Sequence, residues 1–369
     1  MLFEAQALAR SRACRRKPGM SGLWLILPPM TLSPLFKIRH RGFFGFMNAS
    51  GEVVIEPQYI EATDFHGGWA RVRLNDRWVL LDTQGRLYLK RLFRSIGLFS
   101  EGLACVQLVR QWGYINERGE EVIPIRFDSA DDFSEGLAAV AIAGRSGYID
   151  REGRFVLKPI YTAAGAFQQG LAPAADGALC GFISTDGSFA IAPAWDACQP
   201  FEGPVAVVVR GGRWGLIDRQ GAVRLEPQWE FAPGRPRIHF REGMALAFLG
   251  NKYGFVSQEG HAAIEPMFEQ ADDFSEGLAL VEINGAWGYI DPGGRLAILP
   301  KFERASRFRE GLAPVQSNGR WGYIRPDSSW ALPAAYDAAA PFEHGLARVA
   351  VSGHWQYITP EGEVVWRED

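Results

Sequence analysis

The sequence predicts an all-β protein assembled from ten tandem three-stranded antiparallel meanders, and three observations carry that expectation. The first is composition: 42 Gly and 22 Pro among 369 residues, with 12 Trp, 10 Tyr and 24 Phe, describe short strands and many turns. The second is a tetrapeptide. Trp112-Gly113-Tyr114-Ile115 returns as Trp214-Gly215-Leu216-Ile217, Trp287-Gly288-Tyr289-Ile290 and Trp321-Gly322-Tyr323-Ile324, with weaker copies beginning at Phe44, Trp78, Ser146, Cys180, Tyr253 and Trp355. Eight of the nine intervals are 34 residues, and the ninth, from Trp214 to Tyr253, is 39. The third is that further columns keep the same step: an aromatic fifteen residues into each of nine copies (Phe127 in the third), a loop phenylalanine (Phe133) and an alanine five residues beyond it (Ala138). A fixed period held over ten copies marks a repeat architecture.

Each element follows from local chemistry. The first strand is the Leu-Ala-x-Val segment, as in Leu103–Leu108, and Asn284-Gly285 is the clearest of the hairpin turns that follow it. The second strand is the Trp-Gly-Tyr-Ile segment. A glycine six residues after the motif glycine (Gly51, Gly119, Gly153, Gly187, Gly221, Gly260, Gly294, Gly362) supplies the left-handed backbone of the next turn. The third strand, residues 52–55 or 121–125, runs toward a proline that is expected to end it.

Alternation places Trp112 and Tyr114 on one face of the second strand and Gly113 and Ile115 on the other. Both faces are apolar, so this strand should be buried on both sides by stacking on neighbouring units. The structural core is therefore expected at Trp112, Gly113, Tyr114, Phe127, Phe133, Gly136, Ala138, Trp214, Trp287 and Trp321. Three strands per unit and ten units do not fit an ordinary propeller, which has four strands in each of about four to eight blades. An open, curved β-solenoid is the favoured arrangement, with a closed propeller-like toroid as the alternative.

These columns resemble the WG-repeat (KWG-repeat) family, whose bacterial members carry runs close to F-x-E-G-L-A-x-V…W-G-Y-I-D. Residues 133–140 (FSEGLAAV) and 274–281 (FSEGLALV) are near-verbatim copies, and the resemblance spans roughly residues 33–369. Val79 and Gln356 replace the motif glycine, Pro204 the loop glycine, and Ser146 and Cys180 the motif aromatic. The resemblance implies an interaction scaffold and carries no common enzymatic activity.

Organisation follows the register: an extension at 1–32, repeats one to six at 33–230, an insertion or bend at 231–240 (with Pro233, Gly234 and Pro236), and repeats seven to ten at 241–369. The extension holds Arg10, Arg12, Arg15, Arg16 and Lys17, then an apolar run 23–27 broken by Pro28-Pro29. That run is short for a secretory signal, so a poorly ordered extension, a cap on the first unit, or a start at Met20 is preferred, and a cytoplasmic location over secretion or the periplasm.

Chemistry is sparse. A net charge of -3 offers no polybasic footprint for nucleic acid or an anionic membrane, and no segment is long and apolar enough to span one. The four cysteines (Cys14, Cys105, Cys180, Cys198) form no CxxC, and the six histidines show no metal-ligand spacing. Asp131-Asp132 and Asp272-Asp273 occupy one register and read as solvated turn residues. Glu101, Glu135, Glu242, Glu276 and Glu310 form a second acidic column, read as turn carboxylates hydrogen-bonded to nearby backbone rather than as a ladder for a basic partner. The expected function is a non-enzymatic scaffold binding another protein through variable loops, without metal or cofactor. A glycan- or envelope-binding module is the alternative, and it requires exposed aromatics.

Overall fold

The computed structural model describes residues 34–74 and 77–368, leaving aside the side chains of 89–92, and residues 33–369 form one compact unit. The extension at 1–32 lies outside the described residues. Within the unit, ten small antiparallel sheets follow one another along the chain, the first spanning residues 36–59 and the last residues 338–367.

Eight of the ten sheets have four strands, which corrects the three-stranded expectation. In the fourth sheet the added strand is Ser129–Ala130, paired with Ala141 and Val140 at the free edge of the first meander strand, Ala138–Ile142. Two residues carry no periodicity, so this strand reads as the start of a loop. Its only trace in the sequence is a column of small residues, Ala130, Ala164, Cys198, Ala271, Ala305 and Ala339. The remaining strands of the same sheet are Arg145–Ile149 and Phe155–Tyr161.

The motif glycine is explained by the third strand. Phe155–Tyr161 begins beside Ile149 but shifts register, so that Leu157 faces Tyr148 and Tyr161 faces Ser146. A Cβ built on Gly147 would lie 2.6 Å from the Leu157 carbonyl oxygen and 2.7 Å from the Pro159 nitrogen. Since a Cβ projects from the face of a sheet, the bulged strand climbs over the face of the second strand at this point. It thereby delivers the chain, one residue later, to the short strand Ala163–Ala164 of the next sheet. Pro159 sits inside the strand, not at its end, because a bulge leaves its nitrogen without a ladder partner.

The two units that lack the glycine pair their third strands differently. At Gln356 the third strand, Val364–Arg367, stays alongside without climbing, with Gln356 opposite Arg367 and Tyr357 opposite Trp366. At Val79 the crossing is set one residue differently, with Leu80 opposite Tyr88 and Trp78 opposite Phe93.

Consecutive sheets stack as blades, each pair enclosing its own apolar core. Leu103, Cys105, Tyr114, Ile123 and Phe127 of the third blade meet Phe133, Ala138, Val140 and Ile149 of the fourth. The same second strand buries Ile115 against the second blade, so both of its faces are covered. An open row of ten blades has nine such junctions. The structure has a tenth: Phe36, Ile38 and Met47 of the first blade pack with Leu346, Tyr357, Val365 and Trp366 of the last.

The array is therefore a closed ten-bladed propeller, and the open solenoid is corrected. Closure needs no strand shared between first and last blades. Phe36, Ile38 and Met47 occupy the repeat positions of Ala138, Val140 and Ile149, so the first blade offers the last the same face that each blade offers its predecessor.

Candidate functional site

The repeated polar and aromatic side chains converge on the junctions. Tyr114 meets Phe133 of the next blade with ring centroids 4.9 Å apart, and its hydroxyl donates to the Asp131 carbonyl at 2.7 Å. The same hydroxyl bond recurs from Tyr148 to Gly165, Tyr289 to Ser306 and Tyr323 to Ala340. Burial raises all four phenols far above the usual tyrosine range, which suits a buried donor with a carbonyl partner.

The glutamate column is a second set of inter-blade bonds. Glu276 accepts from the amides of Glu310 (2.6 Å) and Gly311 (2.9 Å), and Glu310 does the same for His344 (2.6 Å) and Gly345 (2.8 Å). Glu101, Glu135 and Glu242 repeat the contact in their own junctions. Each of these glutamates sits in the left-handed region, with φ between 50° and 55°, immediately before a glycine. Ser100, Ser134 and Ser275 add a hydroxyl bond to the carbonyl of the next loop phenylalanine. The carboxylates thus bond backbone N–H groups as expected, but those of the following blade.

Of the residues expected to form the core, Tyr114, Phe127, Phe133, Ala138 and Trp214 are buried, and Gly113 lies under the crossing strand. Trp112, Trp287 and Trp321 are half-buried, the first two flanking their junction cores. Trp214 differs because the insertion covers it: Phe231, Ile238 and Phe240 join its core, and its indole nitrogen donates to the Glu230 carbonyl at 3.1 Å. Gly136 occupies an open turn at φ 78°, with free space where a Cβ would stand.

The charged residues at the blades' short-strand edges are the remaining candidates. Asp272 and Asp273 are not free turn carboxylates, for Arg235 of the insertion reaches both, at 2.5 and 3.1 Å, and Arg307 reaches Asp272 at 3.3 Å. Burial raises the Asp131 carboxyl, Asp132 adds to the rise, and Arg237 opposes it. The Cys105 thiol donates to Asp132 at 3.4 Å, and burial followed by that carboxylate pushes it up to about 12, leaving no reactive thiolate near neutral pH.

Sequence reasoning missed Arg235 and Arg237. Only the register break that carries them could have drawn attention to that loop. A cleft of about 380 Å³ between the ninth and tenth blades is lined by Glu310, Leu312, Arg325 and Glu361, but the Glu310 carboxylate is already engaged by backbone amides. No group of three His, Cys, Asp or Glu side chains suited to a metal occurs among the described residues. No described helix is long and apolar enough to cross a membrane.

The family model described as WG containing repeat matches residues 44–78, 112–145, 147–177, 181–214, 214–253, 253–285, 287–321 and 321–355. The chain belongs to the WG-repeat family. The matched segments run from one motif aromatic toward the next, so in this WG-repeat protein each includes the third strand's crossing and the loop into the following blade.

No curated protein matches. Among solved structures, the chain is similar to the crystal structure of a eukaryotic initiation factor, at 11% identity and a TM-score of 0.48 over 91% of this chain and 96% of that one. It is similar to the dihydro-heme d1 dehydrogenase NirN, at 13% identity and a TM-score of 0.41 over 93% of this chain and 75% of that one. It is also similar to Hsv2 of Kluyveromyces marxianus, at 11% identity and a TM-score of 0.36 over 75% of this chain and 100% of that one.

Proposed function

We propose that this WG-repeat propeller is a non-enzymatic scaffold that binds another protein through the residues that differ between blades. One observation carries the reading: the in-register aromatics, tyrosine hydroxyls and glutamates are occupied in joining blades, and the motif glycines in fitting the crossing strand. What projects freely is the irregular part, such as the hairpin tips Val109-Arg110, Ala143-Gly144 and Gly211-Gly212. A rigid ring carrying dissimilar tips presents a broad, preformed surface, and binding to it costs little ordering entropy.

Glycan binding is less well supported. Sugar stacking needs several solvent-facing rings, and the exposed aromatics among the described residues are Phe43 and Trp330, at the tip end of the first blade and in the ninth.

Tagged full-length protein, captured from its native cells and followed by reconstitution with the enriched protein in purified form, tests the scaffold reading. It expects a defined stoichiometry that is lost when exposed tip residues are charge-reversed (Arg110→Glu) at unchanged melting temperature. Turnover of a small molecule by the purified ring, or no partner above a tag-only control, contradicts it.

A further inference from the structure

At its hairpin tips the repeat supplies its own carboxylate. The residue that follows each third strand leads from the tip end of one blade to that of the next, and in the later blades it is acidic. On one side it meets a cation: Glu230 pairs with Arg213 at 3.4 Å, Glu269 with Lys252 at 3.1 Å, and Asp337 with Arg320. Each of those cations opens the second strand of the preceding blade. On the other side the same column accepts from tip amides of the following blade. Asp196 accepts from Gly211 at 2.7 Å, Glu269 from Asn284 at 2.9 Å and Glu303 from Gly319 at 2.9 Å.

Two consecutive steps break this column. Between the second and third blades the acid is replaced by Arg94, whose amide bonds the Gln107 carbonyl at 2.8 Å and whose guanidinium reaches the Val109 carbonyl at 3.4 Å. Arg77 opens the second strand of the second blade, the place of Arg213, and Arg110 stands at the third blade's tip. All three arginines are exposed, and none has an ion-pair partner among the described residues. One step earlier the acidic place holds Ile60 and the cationic place Phe43, 59% and 45% exposed. Adjacent sheets stand about 10 Å apart, so one short segment spans both steps.

We propose that the tips of the first three blades form the docking surface for an acidic protein segment that carries an apolar side chain. The proposal rests on the scaffold reading and names its partner's chemistry. A partner carboxylate takes the place that Glu269 takes elsewhere, among Arg77, Arg94 and Arg110 and against the amides of Val109 and Arg110. An apolar side chain covers Phe43 and Ile60. The pairing is local, and a chain of net charge -3 does not favour a long polyanion such as nucleic acid.

The test is fluorescence anisotropy on the full chain with a fluorescein-labelled peptide of repeated Leu-Glu-Glu. Saturable binding that weakens with salt is expected. Arg94→Asp restores the acid of the other blades, so it should fold with an unchanged or higher melting temperature and weaken binding about tenfold or more. Ile60→Asp should weaken this peptide but not one of repeated Ser-Glu-Glu. Lys252→Ala, at an equivalent but paired cation, should leave binding unchanged. Absence of saturable binding, equal binding by Arg94→Asp, equal binding of a Leu-Lys-Lys peptide, or tighter binding of oligothymidylate of matched charge overturns the proposal. Failure here is distinguishable from failure of the scaffold reading: a reconstituted partner that holds the Arg94→Asp chain as tightly as the wild type would displace this surface and keep the scaffold.

Discussion

The hydroxyl of Tyr357 in the last blade donates to the carbonyl of Lys37 in the first at 2.8 Å, across 320 residues of chain. Phe36 packs edge-on against the same ring at 5.8 Å between centroids. Tyr357 holds the position of Tyr114, Tyr148, Tyr289 and Tyr323, so the seam reuses the contact that joins ordinary neighbours. A Cβ on Gly51 would likewise stand 2.0 Å from the Val365 carbonyl oxygen, the same intimate fit that Gly153 makes on Ile123.

Alkaline pH should open the ring. Burial lifts the Tyr357 phenol to about 12, and the other four column tyrosines further, from 10.0 in the unfolded chain. A raised folded value means the neutral phenol is favoured by the fold. The associated stability is complete below pH 10 and drains away as pH rises toward 12 and beyond. Phenolate absorbance should therefore appear together with loss of the β signal in circular dichroism. Titration of these phenols near pH 10 with the fold intact would be the wrong outcome.

Two glycines should respond differently to alanine. Gly147→Ala forces a methyl against main chain of the crossing strand, which cannot rotate away, and should cost well over 3 kcal/mol or prevent folding. Gly136→Ala meets open space and carries only the strain of φ 78°, about 1–2 kcal/mol. Melting temperatures of the two variants check the ranking.

Removing the Glu276 carboxylate should loosen one junction. Glu276→Ala frees the amides of Glu310 and Gly311, and partial solvent exposure limits the loss to about 1 kcal/mol. Hydrogen exchange should quicken at Glu310 and Gly311 while Gly277, held by Glu242, keeps its protection. Uniform exchange at all three would mean that the column is not a set of independent junction bonds.

Phe133→Ala empties a ring that is 1% exposed and should cost about 3–5 kcal/mol. Trp112→Ala should cost less, because Trp112 only flanks that core, and Glu117→Ala on an exposed turn should be close to neutral. Thermal melts of the three variants give the order directly.

Periodicity made the repeat, the doubly buried second strand and the positive-φ turns legible, since each depends on residues a few positions apart. Gly113 and Phe133 could be placed in the core for that reason. The two-residue strand Ser129–Ala130 could not be found, because its stabilising partners, Val140 and Ala141, lie ten or more residues away. Closure was hidden for a related reason: it depends on the curvature summed over all junctions, and no local pattern at Phe36 or Trp366 encodes that sum. The glutamate column was visible, but its acceptor role bridges blades 34 or 35 residues apart, which only the stacked arrangement brings together. Arg235 occurs once, outside the period, and its carboxylate partners emerge only from the fold.

The seam between the first and last blades is tested most directly by a distance. Spin labels at Glu52 and Val364, exposed neighbours of Gly51 and Val365, would be introduced into a chain whose cysteines are replaced and measured by pulsed electron resonance. A closed ring predicts a narrow distribution set by adjacent sheets about 10 Å apart plus the label arms. A broad distribution at several times that separation, as ten blades stacked in an open row would give, would contradict closure.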